Sequence, residues 1–489
     1  METGIITVVL LYQILVIVVI GIIVKNKEKK EGSSHSEAGF ALAGRNMGAI
    51  VLPITMAFTV LGTAHILGVF ELTYNMGAIA IWFSLAHTVL LIVACVGTGR
   101  WVRRMGITTV PEALTGMYGK GISIAVACIM AGNIWGILTI ETQGIGIVIS
   151  TMTGWDIAKG AVVGGILGVF YVVIAGMKEV GLINVVNAVI KYVALILAVF
   201  FVALKLPGQN FDTIKAYYDA DPSQNFMLNV FGNADLFITF AVGNIIAVTF
   251  CQGINQMLMQ VCMAAKDEKT IKNALWIAAP VNGMFGVFAV TLGLTAKALP
   301  EYSVVGAKMA VTTMLVDLLP TWLSAALLAA FVAAILSAFS MTCLTPATIF
   351  AVDIYKDLFN KNASEKQVSN VIRIGIVVLV AFAIAVAAYL PPILGAINWL
   401  FAWLVPVFWI FVLGLFWKRS TKVAGLTLAV SWILNILWSF SPLPKAIGGL
   451  IGELPNAYIT LLSALLILIV GNLIVKGEPG YFKTIETQN

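Results

Sequence analysis

The chain has 489 residues, of which 60% are hydrophobic and 11% are charged, and its mean hydropathy is +0.99. Soluble domains contain about 45 to 50% apolar and about 25% charged residues, so this composition excludes a water-soluble globular protein. The formal net charge of +6 comes from basic loops between apolar segments and gives no reason to expect nucleic-acid binding. All five cysteines lie in or beside apolar segments without paired spacing, which argues against disulfides and a zinc site.

Apolar segments of about 20 residues recur along the whole chain, which is the length that a helix needs to cross a hydrocarbon layer of about 30 Å. We predict thirteen transmembrane helices, centred near residues 14, 61, 88, 136, 167, 193, 246, 285, 331, 379, 405, 431 and 465. The predicted fold class is therefore an all-α polytopic membrane protein.

Short cytoplasmic loops retain Lys and Arg, so the positions of these residues predict the orientation. With the N-terminus outside, the cytoplasmic segments hold 22 of the 29 basic residues, six lie outside, and Lys191 lies within a span. These cytoplasmic segments are 25–45, 100–120, 178, 266–272, 356–373, 418–422 and 476–483. We therefore predict that the N-terminus is outside and the C-terminus is inside.

Glycines and polar residues interrupt two of the apolar segments, at AFTVLGTAHILG (57–68) and TFAVGNIIAVTFCQG (239–253). Helices that break at matching places in two halves expose carbonyl groups and helix ends, which can hold ions and solutes near the middle of the membrane. Glycine that only allows close helix packing is the alternative. The matching positions favour a transport site.

Five motifs occur in order: FALAGRNMG (40–48), VPEAL (110–114), NQMLMQVCMAAKDEKT (255–270), AAILSAFSMTCLTPATIFAVDIYK (333–356) and GLFWKRSTKVAG (414–425). From about residue 40 to residue 425 the chain resembles the sodium/solute symporter family, whose members carry proline, pantothenate, sugars or sialic acid. The resemblance implies a ten-helix core of two inverted five-helix repeats, with one helix before it and two after it.

The resemblance also divides the chain into five parts. They are a leading helix with a cytoplasmic linker (1–45), a first repeat (46–206), an external loop (207–234), a second repeat (235–418), and two trailing helices with a cytoplasmic tail (419–489).

A sodium site is a further implication of the resemblance, since families of this fold hold the ion between the first helix of the first repeat and the third helix of the second. Backbone carbonyls and two hydroxyl side chains supply its ligands. The matching positions in this chain are Phe58, Leu61, Ala334, Ser337 and Ala338. Because Ala338 has no hydroxyl group, one expected ligand is missing.

Further positions depart from the family pattern near this site. Val60 stands where many relatives have an aspartate, and Asn184 and Asn187 stand where relatives read Asp and Gln. With Ala338, these departures all concern one function, so the sequence predicts a depleted sodium site.

Lys191 lies in an apolar stretch, residues 184–204, that is long enough to cross a bilayer. It follows Asn184 by seven residues, which is two helical turns or about 10.5 Å along nearly the same helix face. A charge at mid-bilayer costs on the order of 2.5 to 3.5 kcal/mol, and we expect this ammonium group to replace the sodium ion. The alternative is that Lys191 extends to the inner surface.

Four polar residues within apolar segments are candidates for binding the solute: His65, Glu141, Gln252 and Asn398. In the resemblance, His65 occupies a position where sugar-carrying relatives place a solute-binding side chain, and Glu141 lies in the helix that lines the solute path. A packing role for His65 and a structural hydrogen bond for Glu141 are the alternatives. Trp399 and Trp403 lie near Asn398 in the sequence, and tryptophans in membrane proteins often pack between helices or anchor them at the membrane interface.

The predicted function is a secondary transporter that moves a small polar organic solute by alternating access across the plasma (inner) membrane, without sodium and with proton coupling or plain exchange. An ordinary sodium-coupled symporter, a passive facilitator and a transport-like sensor are the alternatives. No catalytic nucleophile, metal cluster or phosphate-binding glycine-rich motif stands out, so we expect neither an enzyme nor direct ATP drive. The expected partners are the solute, the bilayer and a coupling ion, H⁺ or Na⁺. We expect no nucleic acid, no required protein partner, and no cofactor apart from the sodium ion of the alternative.

Overall fold

The computed structural model describes residues 2–31, 41–174, 177–387 and 393–486. The longer helices are α1 Glu2–Glu31, α2 Val51–Thr59, α3 Thr63–Met76, α4 Ile81–Val96, α5 Thr98–Met105, α6 Val110–Tyr118, α7 Lys120–Thr153, α8 Ile157–Ile174, α9 Met177–Lys205, α10 Asp212–Asp219, α11 Ala234–Gln252, α12 Gln256–Met263, α13 Glu268–Ala298, α14 Ala310–Leu318, α15 Thr321–Phe359, α16 Glu365–Ala387, α17 Ile393–Ala402, α18 Val405–Phe416, α19 Thr421–Phe440 and α20 Asn456–Ile474.

Short helical turns and one small sheet complete the described structure. The turns are Ala43–Arg45, Gly77–Ala80, Pro207–Gln209, Asn225–Leu228, Pro300–Ser303, Leu443–Ile447, Gly449–Gly452 and Tyr481–Glu486. The sheet has two antiparallel strands, β1 Lys418–Arg419 and β2 Glu478–Pro479.

Eleven helices in the described part of the chain are long and apolar enough to cross a membrane, which confirms the all-α multi-pass fold class. Two predicted centres fall outside these eleven. Near residue 61 the chain breaks between α2 and α3, and near residue 167 the apolar part of α8 is shorter, at Ile157–Phe170. The count of thirteen crossings, the orientation and the repeat boundaries stay predictions.

Helix α15 forms the centre of the bundle. Its most apolar stretch is completely buried, whereas that of α1 is mostly exposed. α15 packs against α1, α7, α9 and α16. Large apolar side chains on α1, α9, α16 and α20 remain exposed on the outside of the bundle, as expected of surfaces that face lipid.

Both predicted interruptions are present. Between α2 and α3 the helix ends at Thr59, and Gly62 adopts an extended conformation with φ −96° and ψ −155°. Between α11 and α12 the chain passes through Gly253, and the side chain of Asn255 caps α12 by accepting a hydrogen bond from Met257 N–H at 3.0 Å. A capping side chain satisfies a backbone donor that the helix leaves unpaired, so α12 has a defined start.

The first and third motifs meet at one end of the bundle, which we call the motif end. Met47 N–H donates to the carbonyl of Ala264 at 2.9 Å, and Lys266 N–H donates to the carbonyl of Met47 at 3.1 Å. Gln260 donates to the carbonyl of Ala41 at 3.0 Å. The side chain of Gln260 in the third motif therefore has a structural role.

The second motif joins the same end through side chains from two distant helices. Gln256 accepts a hydrogen bond from Val110 N–H at 2.8 Å and donates to the carbonyl of Thr108 at 2.9 Å. The hydroxyl of Thr109 donates to Asp353, in the fourth motif, at 2.8 Å.

The fifth motif reaches the motif end through Arg419, whose guanidinium donates to the carbonyls of Gly116 and Met117 at 3.2 and 3.3 Å. Arg419 also pairs with Glu478 of β2 at 2.7 Å. Five of the seven segments that we predict to be cytoplasmic are thus brought together at one end. The predicted linker residues 32–40 and the last residues of the tail, 487–489, lie outside the described residues.

The loop of residues 207–234 covers the opposite end of the bundle. The hydroxyl of Tyr218 donates to the carbonyl of Leu294, near the end of α13, at 2.9 Å. The indole N–H of Trp82 donates to the carbonyl of Val230 at 2.9 Å. The predicted external loop and the motif end therefore lie at opposite ends of α13.

Candidate solute and cation sites

Glu141 lies in the middle of α7 and holds the start of α3. Its side chain is only 3% exposed, and its Oε2 atom accepts a hydrogen bond from Thr63 N–H at 2.8 Å. A carboxylate at a helix N-terminus is favourable because it satisfies an unpaired N–H group and opposes the positive end of the helix dipole. The structural hydrogen bond that the sequence left open is therefore present.

Two glycines allow this close approach of α7 to the break. A β-carbon on Gly62 would overlap the carboxylate of Glu141, and a β-carbon on Gly144 would overlap the side chain of Thr63. Any larger residue at either position would separate α7 from the break.

A central cavity lies beside the break and is lined by Val60, Gly62, His65, Glu141 and Gln252, among other residues. Its volume is ≈ 20 Å³. A cavity needs roughly 10 to 15 Å³ to hold one water molecule, so an organic solute does not fit in this conformation. Three of the four predicted solute residues nevertheless meet here.

His65 is 1% exposed and has both a packing role and a free ring nitrogen. Its Nε2 atom forms a hydrogen bond of 2.7 Å with the hydroxyl of Ser84, and its ring packs against His87 at a centroid distance of 4.6 Å. Within the described residues, Nδ1 of His65 and Oε1 of Gln252 are buried without a hydrogen-bond partner. Oε1 of Gln252 is therefore available to a ligand, whereas Nδ1 of His65 faces the backbone of Val60.

Asn398 does not reach the central cavity. It lines a separate and larger cavity of ≈ 530 Å³, together with Trp399, Trp438, Phe440 and Glu453. On the same half-helix α17, Phe401 lines the central cavity instead. Asn398 is therefore not a lining residue of the central cavity.

Lys191 is fully buried inside the bundle. Its Nζ atom lies 4.3 Å from the ring centroid of Phe58, 4.6 Å from that of Tyr192 and 5.5 Å from that of Phe285. The side chain thus points to the last turn of α2 and does not extend to the protein surface. Among the described residues, Nζ has no hydrogen-bond partner.

The other predicted cation-site residues are buried around the same helices. The hydroxyl of Ser337 has no hydrogen-bond partner in the described structure, and Ala334 and Ala338 are buried beside it on α15. The carbonyl of Phe58 accepts a hydrogen bond from Leu61 N–H at 3.2 Å. The hydroxyl oxygen of Ser337 is thus unpaired in the described structure, and its helix α15 packs against α2, which carries the carbonyl of Phe58.

Polar residues of α9 extend from Lys191 toward the motif end. Both side-chain polar atoms of Asn184 are buried and lack a partner within the described residues. Asn187 accepts a hydrogen bond from the hydroxyl of Tyr12, on α1, at 2.6 Å. The sequence identified both asparagines but gave no indication of the contact with α1.

Asn282 is a site residue that sequence reasoning missed. It is fully buried on α13, and its amide donates to the carbonyl of Ala57 at 3.0 Å, in the last turn of α2. An isolated asparagine two residues after Pro280, in an otherwise apolar span, was the available signal.

A helical membrane bundle with two interrupted helices around a buried polar cavity defines the class of secondary transporters. The profile of the Sodium:solute symporter family matches residues 40–432, and the chain belongs to this family. The family comprises multi-pass membrane transporters rather than enzymes, and its members have a solute and a coupling ion as partners.

Relatives within this family differ in the solutes that their names record. The chain is 24% identical over 409 residues to a high-affinity choline transporter of Drosophila melanogaster, a match that covers 80% of this chain and 63% of that protein. It is 22% identical over 473 residues to a sodium/glucose cotransporter of Vibrio parahaemolyticus, covering 89% and 85%. The chain thus spans less than two thirds of the fly protein.

A solved structure of a Na⁺-coupled sialic acid symporter shares the fold. It superposes with a TM-score of 0.80 at 15% sequence identity, covering 97% of this chain and 98% of the other.

Proposed function

We propose that this protein moves a small polar organic solute across the plasma membrane by alternating access, and that the ammonium group of Lys191 takes the place of the sodium ion. Transport is then independent of sodium and is driven by a proton gradient or by exchange of solutes. An ordinary sodium-coupled symporter is the alternative, because one relative is named a sodium/glucose cotransporter.

The position of Lys191 carries this proposal. Its Nζ atom lies 4.3 Å from the ring centroid of Phe58, beside the C-terminal turn of α2. The aromatic ring and the negative end of the helix dipole both stabilise a cation there. A second cation bound by the carbonyl of Phe58 would be repelled by this ammonium group.

The oxygen ligands expected at the cation site support the same proposal. Ser337 offers one hydroxyl group, whereas the matching position Ala338 offers none. A fixed ammonium group needs fewer oxygen ligands than a desolvated sodium ion, because it is covalently attached and already has its position. The oxygen ligands of this site therefore suit the attached ammonium group of Lys191 better than a free sodium ion.

Uptake into proteoliposomes tests the proposal. Radiolabelled choline, amino acids, sugars and sialic acid are first screened to find a transported solute. Its uptake is then compared in sodium and potassium buffers, with and without an imposed pH gradient. We expect equal uptake in the two buffers for the wild-type protein and loss of uptake to background in Lys191→Met, which keeps the length of the side chain and removes its charge.

Lys205→Met is the matched control, because Lys205 lies at the exposed end of the same helix. It should transport like the wild type. Steep sodium dependence of the wild type, or full uptake by Lys191→Met, would restore ordinary sodium symport.

A further inference from the structure

We infer that Glu141 binds the positively charged group of an organic cation while it holds the start of α3, so that one carboxylate both recognises the solute and positions the broken helix. This inference rests on the proposed transport function and names the chemical class of its solute.

The charge of the cavity supports a cation. Among the described residues that line it, Glu141 is the only acidic side chain, and Lys191 is not one of them. An intramembrane carboxylate is costly unless a positive charge or hydrogen-bond donors compensate it. The titratable neighbours on the facing helices are His65 and His87, and Lys191 lies within electrostatic range of His65. A carboxylate solute would meet the charge of Glu141 without a Lys or Arg among the lining residues to offset it.

The oxygen atoms of Glu141 leave room for a second partner. A carboxylate has about four lone-pair sites, and Thr63 N–H uses one of them on Oε2. The Oε1 atom packs against Gly62 at the break, and the side chain of Glu141 also lines the central cavity. An ammonium group can therefore approach while the hydrogen bond to Thr63 persists.

The remaining walls suit the same ligand. Oε1 of Gln252 is a buried acceptor without a partner among the described residues. Phe83 and Phe401 line the same cavity and can offer aromatic rings to a cation. A carboxylate, an amide oxygen and aromatic rings together favour a small ammonium compound over a sugar, which would require several donors as well.

Binding such a ligand also requires movement at the break. The cavity of ≈ 20 Å³ must enlarge before a solute enters, and Glu141 connects the two elements that would separate, α3 and α7. A bound cation would neutralise the carboxylate and stabilise the position of α3 in the enlarged state.

Binding of choline, measured against its uncharged carbon isostere, tests the inference. Glu141→Gln is the informative variant, since its amide oxygen can still accept the hydrogen bond from Thr63 while the charge is lost. We expect its affinity for choline to fall by roughly ten- to hundred-fold, because the carboxylate no longer attracts the quaternary ammonium group inside a desolvated cavity. Affinity for the isostere should stay unchanged, and so should the temperature of unfolding.

Glu301→Gln is the control, because it removes the same charge from an exposed position and should leave choline affinity unchanged. Equal losses for choline and its isostere in Glu141→Gln, or unaltered choline affinity, would contradict the inference. Failure of the wild type to bind choline, ethanolamine or tetramethylammonium would also overturn it. That result would leave the test of Lys191 with another solute unaffected.

Discussion

Gly144 shows how the absence of one side chain can position the central cavity. A β-carbon at this position would overlap the side chain of Thr63, at the start of α3. We expect Gly144→Ala to destabilise the fold by roughly 1 to 3 kcal/mol, as for other overpacked sites, and to reduce transport. Thermal unfolding in detergent and uptake in proteoliposomes measure the two effects.

Gly132→Ala is the matched control on the same helix, since a β-carbon there meets no atom within 4 Å. This variant should be as stable as the wild type or slightly more stable, because alanine favours the helical conformation. Equal behaviour of the two variants would show that the contact between α7 and the break is not tightly packed.

At the level of residues, four solute candidates could be chosen from the sequence because polar side chains in apolar spans are rare. Three of the four line the central cavity. It could not predict that Asn398 lines another cavity, since Asn398 and Phe401 belong to one short helix and only tertiary packing separates their surroundings. The hydrogen bond that Thr63 N–H donates to Glu141 could not be located from the sequence either, because it joins residues 78 positions apart.

The interruptions of helices were predictable because their causes are local. Gly62 and Gly253 weaken their helices, and Asn255 provides a capping side chain for the next one. The pairing of β1 with β2 was not predictable. Each strand has two residues, far below the length at which a repeating pattern can be recognised.

The small sheet places Arg419 where it can hold the motif end together. Arg419 is 8% exposed and donates to the carbonyls of Gly116 and Met117, whereas its partner Glu478 has a side chain that is 70% exposed. We expect Arg419→Ala to lower the free energy of unfolding by roughly 1 to 3 kcal/mol, because the buried carbonyl of Met117 and the partly buried carbonyl of Gly116 lose their donor. Glu478→Ala should lower it by less than about 1 kcal/mol, as exposed ion pairs contribute little.

Chemical denaturation in detergent, together with protease sensitivity of the tail, compares these two variants. Lys422→Ala is the control, since Lys422 is an exposed basic residue close in sequence. An effect of Glu478→Ala as large as that of Arg419→Ala would mean that the ion pair, rather than the carbonyl contacts, stabilises this end.

At the scale of the whole molecule, contacts at the motif end constrain the path of the chain. Arg45 donates to the carbonyl of Gly106 at 3.0 Å, so the chain crosses the bundle an even number of times between them. The broken helix α2–α3 and α4 provide two crossings. This supports a separate crossing by the broken helix, whose second half α3 is counted with α4 in a single apolar span, Thr63–Met105.

A similar argument applies to α8. Lys120, at the start of α7, pairs with Asp357 at 3.6 Å, and Gly181, near the start of α9, contacts Met47 at the motif end. Since α7 leaves this end and α9 begins there, α8 must return to it. The turn between α7 and α8, which contains Asp156, then lies at the end covered by the loop of residues 207–234.

Thiol labelling of intact cells tests both the orientation and the count of crossings. Single cysteines are introduced into a cysteine-free background at Asp156, Ser223, Lys361 and Ser36, of which Ser36 belongs to the predicted linker. With an impermeant reagent, we expect labelling at Asp156→Cys and Ser223→Cys, because these positions lie at the predicted external end. Lys361→Cys and Ser36→Cys should react only after permeabilisation. The fully reversed pattern would contradict the orientation, and protection of Asp156→Cys alongside labelling of Ser223→Cys would contradict thirteen crossings.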